Sequence, residues 1–188
     1  MRRTVVAIAL VSSGVLGAIG LLAGHGLKPG SAAAPPPNPV WTEMPWPFPM
    51  DQWGKGKAFQ CKAEHCGTEA KLYLRAKLGS CNCTTGVAND DDLDRMSDFD
   101  LLGGEVLPLG AGRPITIAWM KGRSRAYSLP ARNWSGGSAI SIVFNDRCDM
   151  VVATVVLPHN RPMTIEPVVM EFLNSRTVLH WAEMALGI

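Results

Sequence analysis

The sequence predicts an α+β domain: a mainly antiparallel sheet of about six strands, with a short acidic helix and a C-terminal helix packed on it, behind an N-terminal transmembrane or signal segment. Three observations carry this prediction. Short segments rich in Val and Ile, or alternating apolar and polar, come in pairs around turn residues. Helical spacing of apolar residues is confined to 91–102 and 165–186. No alternating β-α-β series is present, which argues against a doubly wound dinucleotide fold.

The chain has 188 residues, 47% hydrophobic and 18% charged, too apolar and too weakly charged for a disordered chain and long enough for one domain plus extensions. The formal net charge is +2. From position 51 onward 15 basic residues meet 15 acidic ones, so the small excess comes from the N-terminal part. This balance excludes bulk polyanion binding, and no nucleic-acid partner is expected.

Arg2 and Arg3 precede Thr4–Ala23, twenty residues without a charge. A helix of that length spans roughly 30 Å, the thickness of the hydrocarbon core of a bilayer. The two arginines are expected to stay on the cytoplasmic side, which sends the rest of the chain across. Residues 1–27 are therefore read as a signal peptide or membrane anchor. Ala32-Ala33-Ala34 offers a small-residue cleavage site, but Pro35 follows it directly, and the apolar run is long for a signal core. Uncleaved anchorage is the favoured reading.

Residues 28–53 form a Pro/Trp-rich linker and strap. Lys28 to Pro39 has the composition of an extended spacer. Trp41, Met44, Trp46, Phe48, Met50 and Trp53 are interleaved with Pro45, Pro47 and Pro49, which suits a strap laid over the domain.

The domain proper is expected over 54–188. Strands are predicted at 58–63 and 71–77; in the second, Lys71, Tyr73, Arg75 and Lys77 share one face. A helix follows over 91–102, with Asp90 as its N-cap and Gly103-Gly104 as its stop. One hairpin joins 115–120 to 124–129 around Lys121-Gly122-Arg123, and another joins 139–144 to 150–157 around Asn145-Asp146-Arg147. The stretch 165–186 reads as helical, with Pro167 in its first turn and Asn174-Ser175 a point where it can divide.

Five cysteines fall at Cys61, Cys66, Cys81, Cys83 and Cys148. In an exported chain the simplest count is two disulfides and one thiol, and bridges from Cys61 and Cys66 across to Cys81 and Cys83 suit a hairpin best. A bond to Cys148 is the other possibility. The functional alternative is a metal or thiol-redox site made of Cys61, His65, Cys66, Cys81 and Cys83. The spacing of these residues matches no standard zinc, haem or C-x-x-C pattern, so no cofactor and no metal is expected.

Charge is segregated along the chain. Asp90, Asp91, Asp92 and Asp94 open an acidic stretch, and Arg113, Lys121, Arg123, Arg125 and Arg132 follow with no acid among them. Either the two groups pair within the fold or they form a docking surface for an envelope protein or an anionic membrane surface. Asp90, Asp92 and Asp94 alternate as in a calcium loop, but Arg95 and Leu101 stand where that loop needs Gly and Glu. His159, in a loop, and Cys148 could be imagined as a base and nucleophile, but no catalytic motif supports them. The sequence thus points to an exported, non-catalytic binding or accessory module, membrane-anchored or secreted, on the periplasmic or extracytoplasmic side.

Overall fold

The computed structural model describes residues 39–103, 105–129, 137–158 and 162–188. The predicted membrane or signal segment, Arg132 and His159 lie outside the described residues, as does nearly all of the linker up to Pro39.

A mostly antiparallel sheet forms the centre, and the α+β class holds. Among the described residues it has eight strands: β1 (Trp41–Met44), β2 (Lys57–Cys61), β3 (Ala70–Lys77), β4 (Leu107–Pro108), β5 (Arg113–Ile117), β6 (Met120–Ser128), β7 (Ser138–Asp146) and β8 (Asp149–Leu157). Their spatial order is β1-β2-β3-β8-β7-β6-β4, with β5 also on β6, and every pairing is antiparallel. The helices are α1 (Ala63–Cys66), α2 (Asp90–Met96), α3 (Pro162–Leu173) and α4 (Arg176–Leu186), with a 3-10 turn at Phe99–Leu102.

Both faces of the sheet are covered. On one, Leu72, Leu74, Ile140, Ile142, Val151, Ala153 and Val155 pack under Ile165, Val169 and Leu173 of α3 and Val178 and Ala182 of α4. On the other, Ala58, Tyr73, Ala139 and Val156 lie beneath Met44, Trp46, Phe48 and Phe99, while Val143, Met150 and Val152 lie beneath Leu93 and Met96 of α2. Central β7 and β8 are therefore buried on both sides, which is why they read as unbroken Val/Ile runs.

Several sequence expectations are corrected. The strap is partly a strand: β1 pairs Trp41 with Cys61, and the Trp41 ring stacks on Phe172 of α3 at 4.9 Å. The two-residue β4 adds the eighth strand, so the expected count of about six was low by two edge strands. The first hairpin turns at Ala118-Trp119, not around Gly122. Gly122 is a strand residue opposite Phe144, and a Cβ there would stand 2.0 Å from the Val143 carbonyl oxygen. The glycine thus marks close strand approach rather than a turn. The second hairpin turns at Arg147-Cys148, so of the three expected turn residues Asn145 and Asp146 belong to β7 and Arg147 alone is in the turn. Asn89, not Asp90, caps α2, its side chain accepting from the Asp92 N–H at 2.8 Å. The acidic helix stops at Met96 and gives way to the 3-10 turn, and Gly103 ends that turn in a left-handed conformation. The C-terminal helix begins at Pro162 and divides before Arg176, so Pro167 lies inside α3 rather than in its first turn.

Candidate functional site

The basic stripe of β6 and the acidic helix α2 meet face to face. Arg123, Arg125 and Tyr127 alternate along β6 and so project to the same side. Asp90 and Asp94 lie one helical turn apart on α2 and so share its face. Arg123 donates to Asp90 Oδ1 from Nε at 3.0 Å and from Nη2 at 2.6 Å. The Gly112 N–H donates to Asp90 Oδ2 at 2.9 Å. That N–H, then Arg123, hold the Asp90 carboxyl below the usual carboxylate range. Arg125 reaches Asp94 Oδ2 at 2.9 Å and the Gly110 carbonyl at 2.7 Å. Tyr127 donates its hydroxyl to Asp94 Oδ1; burial, then that carboxylate, push the phenol far above its ordinary value.

The predicted docking residues therefore divide. Asp90, Asp94, Arg123 and Arg125 are consumed by one another. Arg113 pairs with Glu166 of α3 at 2.9 Å, and Ser124 donates to the same Glu166 oxygen. These three side chains line a cavity of about 100 Å³ beside Gly110 and Ala111. Asp92 pairs with exposed Arg95 at 2.6 Å and accepts from the Ala88 N–H. Asp91 and Lys121 are exposed.

A second polar cluster has no counterpart in the sequence reading. Arg75 and Lys77 sit on the predicted polar face of β3, yet that face is covered and both are buried. Asp98, 3% exposed, accepts from Arg75 Nε at 3.0 Å and Nη2 at 2.5 Å, and from Lys77 Nζ at 2.7 Å. Lys77 also donates to the Met96 carbonyl at 2.8 Å, and its ammonium lies 5.8 Å from the Trp53 ring centre. Arg75 reaches Asp51 as well. Burial alone would raise the Asp51 carboxyl, but the Trp53 N–H and Arg75 outweigh it and the net shift is downward. Two cations and two carboxylates are thereby matched, with no ligand required. The pairing was invisible in the sequence because Arg75 and Asp98 are 23 residues apart.

The cysteines do not converge on one centre. Cys61 bonds Cys66 across the one-turn helix α1, with an S–S distance of 2.01 Å. Cys83 bonds Cys148 in the β7–β8 turn at 2.09 Å, and Cys81 keeps its thiol. The expected bridges from Cys61 and Cys66 to Cys81 and Cys83 are thus replaced by one local bond and one to Cys148. The register explains this: Cys61 is opposite Ala70, at the start of β3, whereas Cys148 lies two residues before Met150, the partner of Lys77 at the other end of β3. Seven strand steps separate those ends, about 23 Å at ~3.3 Å per residue. His65 stays with the first pair and contacts Glu64 at 3.4 Å. Among the described residues, no three His, Cys, Asp or Glu side chains are grouped as a metal site.

His180 of α4 is exposed beside Glu183. No described helix is long and apolar enough to cross a membrane. In comparisons with known proteins, no family model and no curated protein matches the chain.

Proposed function

We propose that the chain is an exported accessory module of the cell envelope, held at the membrane by its N-terminal segment, that acts by binding rather than by catalysis. The observation that carries this reading is the pairing of four of the five cysteines behind a stretch of twenty uncharged residues and two arginines. Paired cysteines belong to oxidising compartments, and the N-terminal pattern supplies a route to one.

The binding reading is supported by how the polar groups are spent. Buried carboxylates and cations neutralise each other, and Ser124 donates to Glu166, which also pairs with Arg113. What is left for a partner is a set of exposed side chains. Trp119 stands at the β5–β6 hairpin tip, 50% exposed, with Lys121 beside it. Ala118 holds that tip in a left-handed conformation at φ 50°, and its N–H donates to Asn174 at 2.8 Å. A non-glycine residue held there, with a large aromatic presented to solvent, fits a contact surface. We place the docking surface at this tip rather than on the acidic helix and basic stripe, where Asp90, Asp94, Arg123 and Arg125 satisfy one another.

The test is crosslinking of the full chain in its native envelope from a photoreactive residue at position 119, compared with one at position 95 on the acidic helix. Adducts from position 119 and none from position 95 support this placement. Adducts from position 95 alone overturn it.

A further inference from the structure

Three cysteines meet at one end of the sheet. Cys148 sits in the β7–β8 turn, bonded to Cys83, and Cys81 lies two residues before Cys83 with a free thiol. The Cys81 N–H donates to the Cys148 carbonyl at 3.2 Å, and the Cys81 thiol donates to the Arg147 carbonyl at 3.2 Å. That bond makes Cys81 a direct backbone neighbour of Cys148. Cys148 is therefore bonded to Cys83 and has Cys81 as its backbone neighbour.

The turn is built for this placement. Arg147 takes a left-handed conformation at φ 53°, and its carbonyl also accepts from the Asn145 side chain at 3.0 Å. That conformation presents the Arg147 carbonyl to Cys81 while the next residue faces Cys83. Burial, then the Asp149 carboxylate, push the Cys81 thiol above its ordinary value, so it rests protonated.

We propose that Cys81, Cys83 and Cys148 form a thiol–disulfide exchange site in which Cys148 is bonded alternately to Cys83 and to Cys81. Cys81 gives its proton to a solvent base, and the thiolate attacks Cys148 Sγ. The Cys81–Cys148 bond forms as the Cys83–Cys148 bond breaks. The electron pair leaves on Cys83 Sγ, which takes a proton from water. One disulfide exists before and after, so no oxidant or reductant is consumed. The exchange moves the thiol from half-buried Cys81 to exposed Cys83, on the turn where Asn82 accepts from the Thr84 and Thr85 N–H groups. There it is open to a disulfide of another molecule. This inference goes beyond the binding proposal and does not depend on what the domain binds.

The test uses the full chain in detergent micelles, held at pH 8.5, acid-quenched over a time course, unfolded, alkylated with N-ethylmaleimide without reduction and peptide-mapped. The exchange predicts a several-fold rise of label at Cys83 over its starting level, with a matching loss at Cys81, and no such rise in Cys81→Ser. Label confined to Cys81 throughout overturns it. Cys83→Ser gives a second reading. A Cys81–Cys148 disulfide supports the proposal, whereas both thiols alkylated in folded protein contradict it. If that variant fails to fold, the wild-type time course still decides.

Discussion

Asp98 is the residue on which most buried charge depends. It faces both Arg75 and Lys77, all three at 8% exposure or less. Removing one partner of a buried ion pair strands the other, at a cost of about 3–5 kcal/mol. Asp98→Asn is expected to lose stability on that scale in urea unfolding, whereas Asp91→Asn, at an exposed carboxylate, is expected to change it by less than about 0.5 kcal/mol. Asp90 gives a pH signature. Its folded carboxyl is held below the unfolded value of about 3.9, so its contribution is fully present above that pH and is lost as pH falls through the lower folded value. Melting temperature measured from pH 5 to pH 2 should therefore fall less steeply in Asp90→Asn than in wild type. Identical slopes would remove Asp90 from the acid response. These roles were only half legible in the sequence. Alternation along β3 placed Arg75 and Lys77 on one face correctly, but nothing local says that a strap and a helix cover that face.

Among the elements, those that carry their own signal were the ones read correctly. The Val/Ile runs of β7 and β8 and the apolar stripe of the C-terminal helices state their burial in one segment of chain. β1 was hidden because prolines follow it at once, and β4 because two residues hold no period. The turn of the first hairpin was misplaced because Gly122 looks like turn chemistry, while the true turn uses Ala118 at a positive φ. Two substitutions separate these roles. Gly122→Ala drives a methyl into the β7 backbone and is expected to cost roughly 1–3 kcal/mol or more. Ala118→Gly relieves the left-handed conformation and is expected to gain up to about 1 kcal/mol. Thermal unfolding of the pair checks both, and a destabilised Ala118→Gly would contradict the turn as described. At the acidic helix, Asn89→Ala removes the cap on Asp92 and is expected to cost about 1 kcal/mol.

At the scale of the domain, the charge pattern and the cysteine count each allowed two readings, and contacts between distant segments separate them. The acidic helix lies on the basic stripe, so segregation along the chain becomes neutralisation in space. Cys83 and Cys148, 65 residues apart, close the longer disulfide loop; in the chain-entropy account a loop of that size contributes about 4 kcal/mol. Neither fact is readable from spacing, because each needs the strand order. The proposed accessory role requires the domain to reach an oxidising compartment, where such bonds form and persist. That is tested most directly by acid-trapping cells that produce the full chain, unfolding the protein without reductant, alkylating it and weighing it intact. The account predicts one added alkyl group, with four of the five cysteines protected in two disulfides. Five added groups would mean a reduced chain, and the exported, disulfide-braced module would be contradicted.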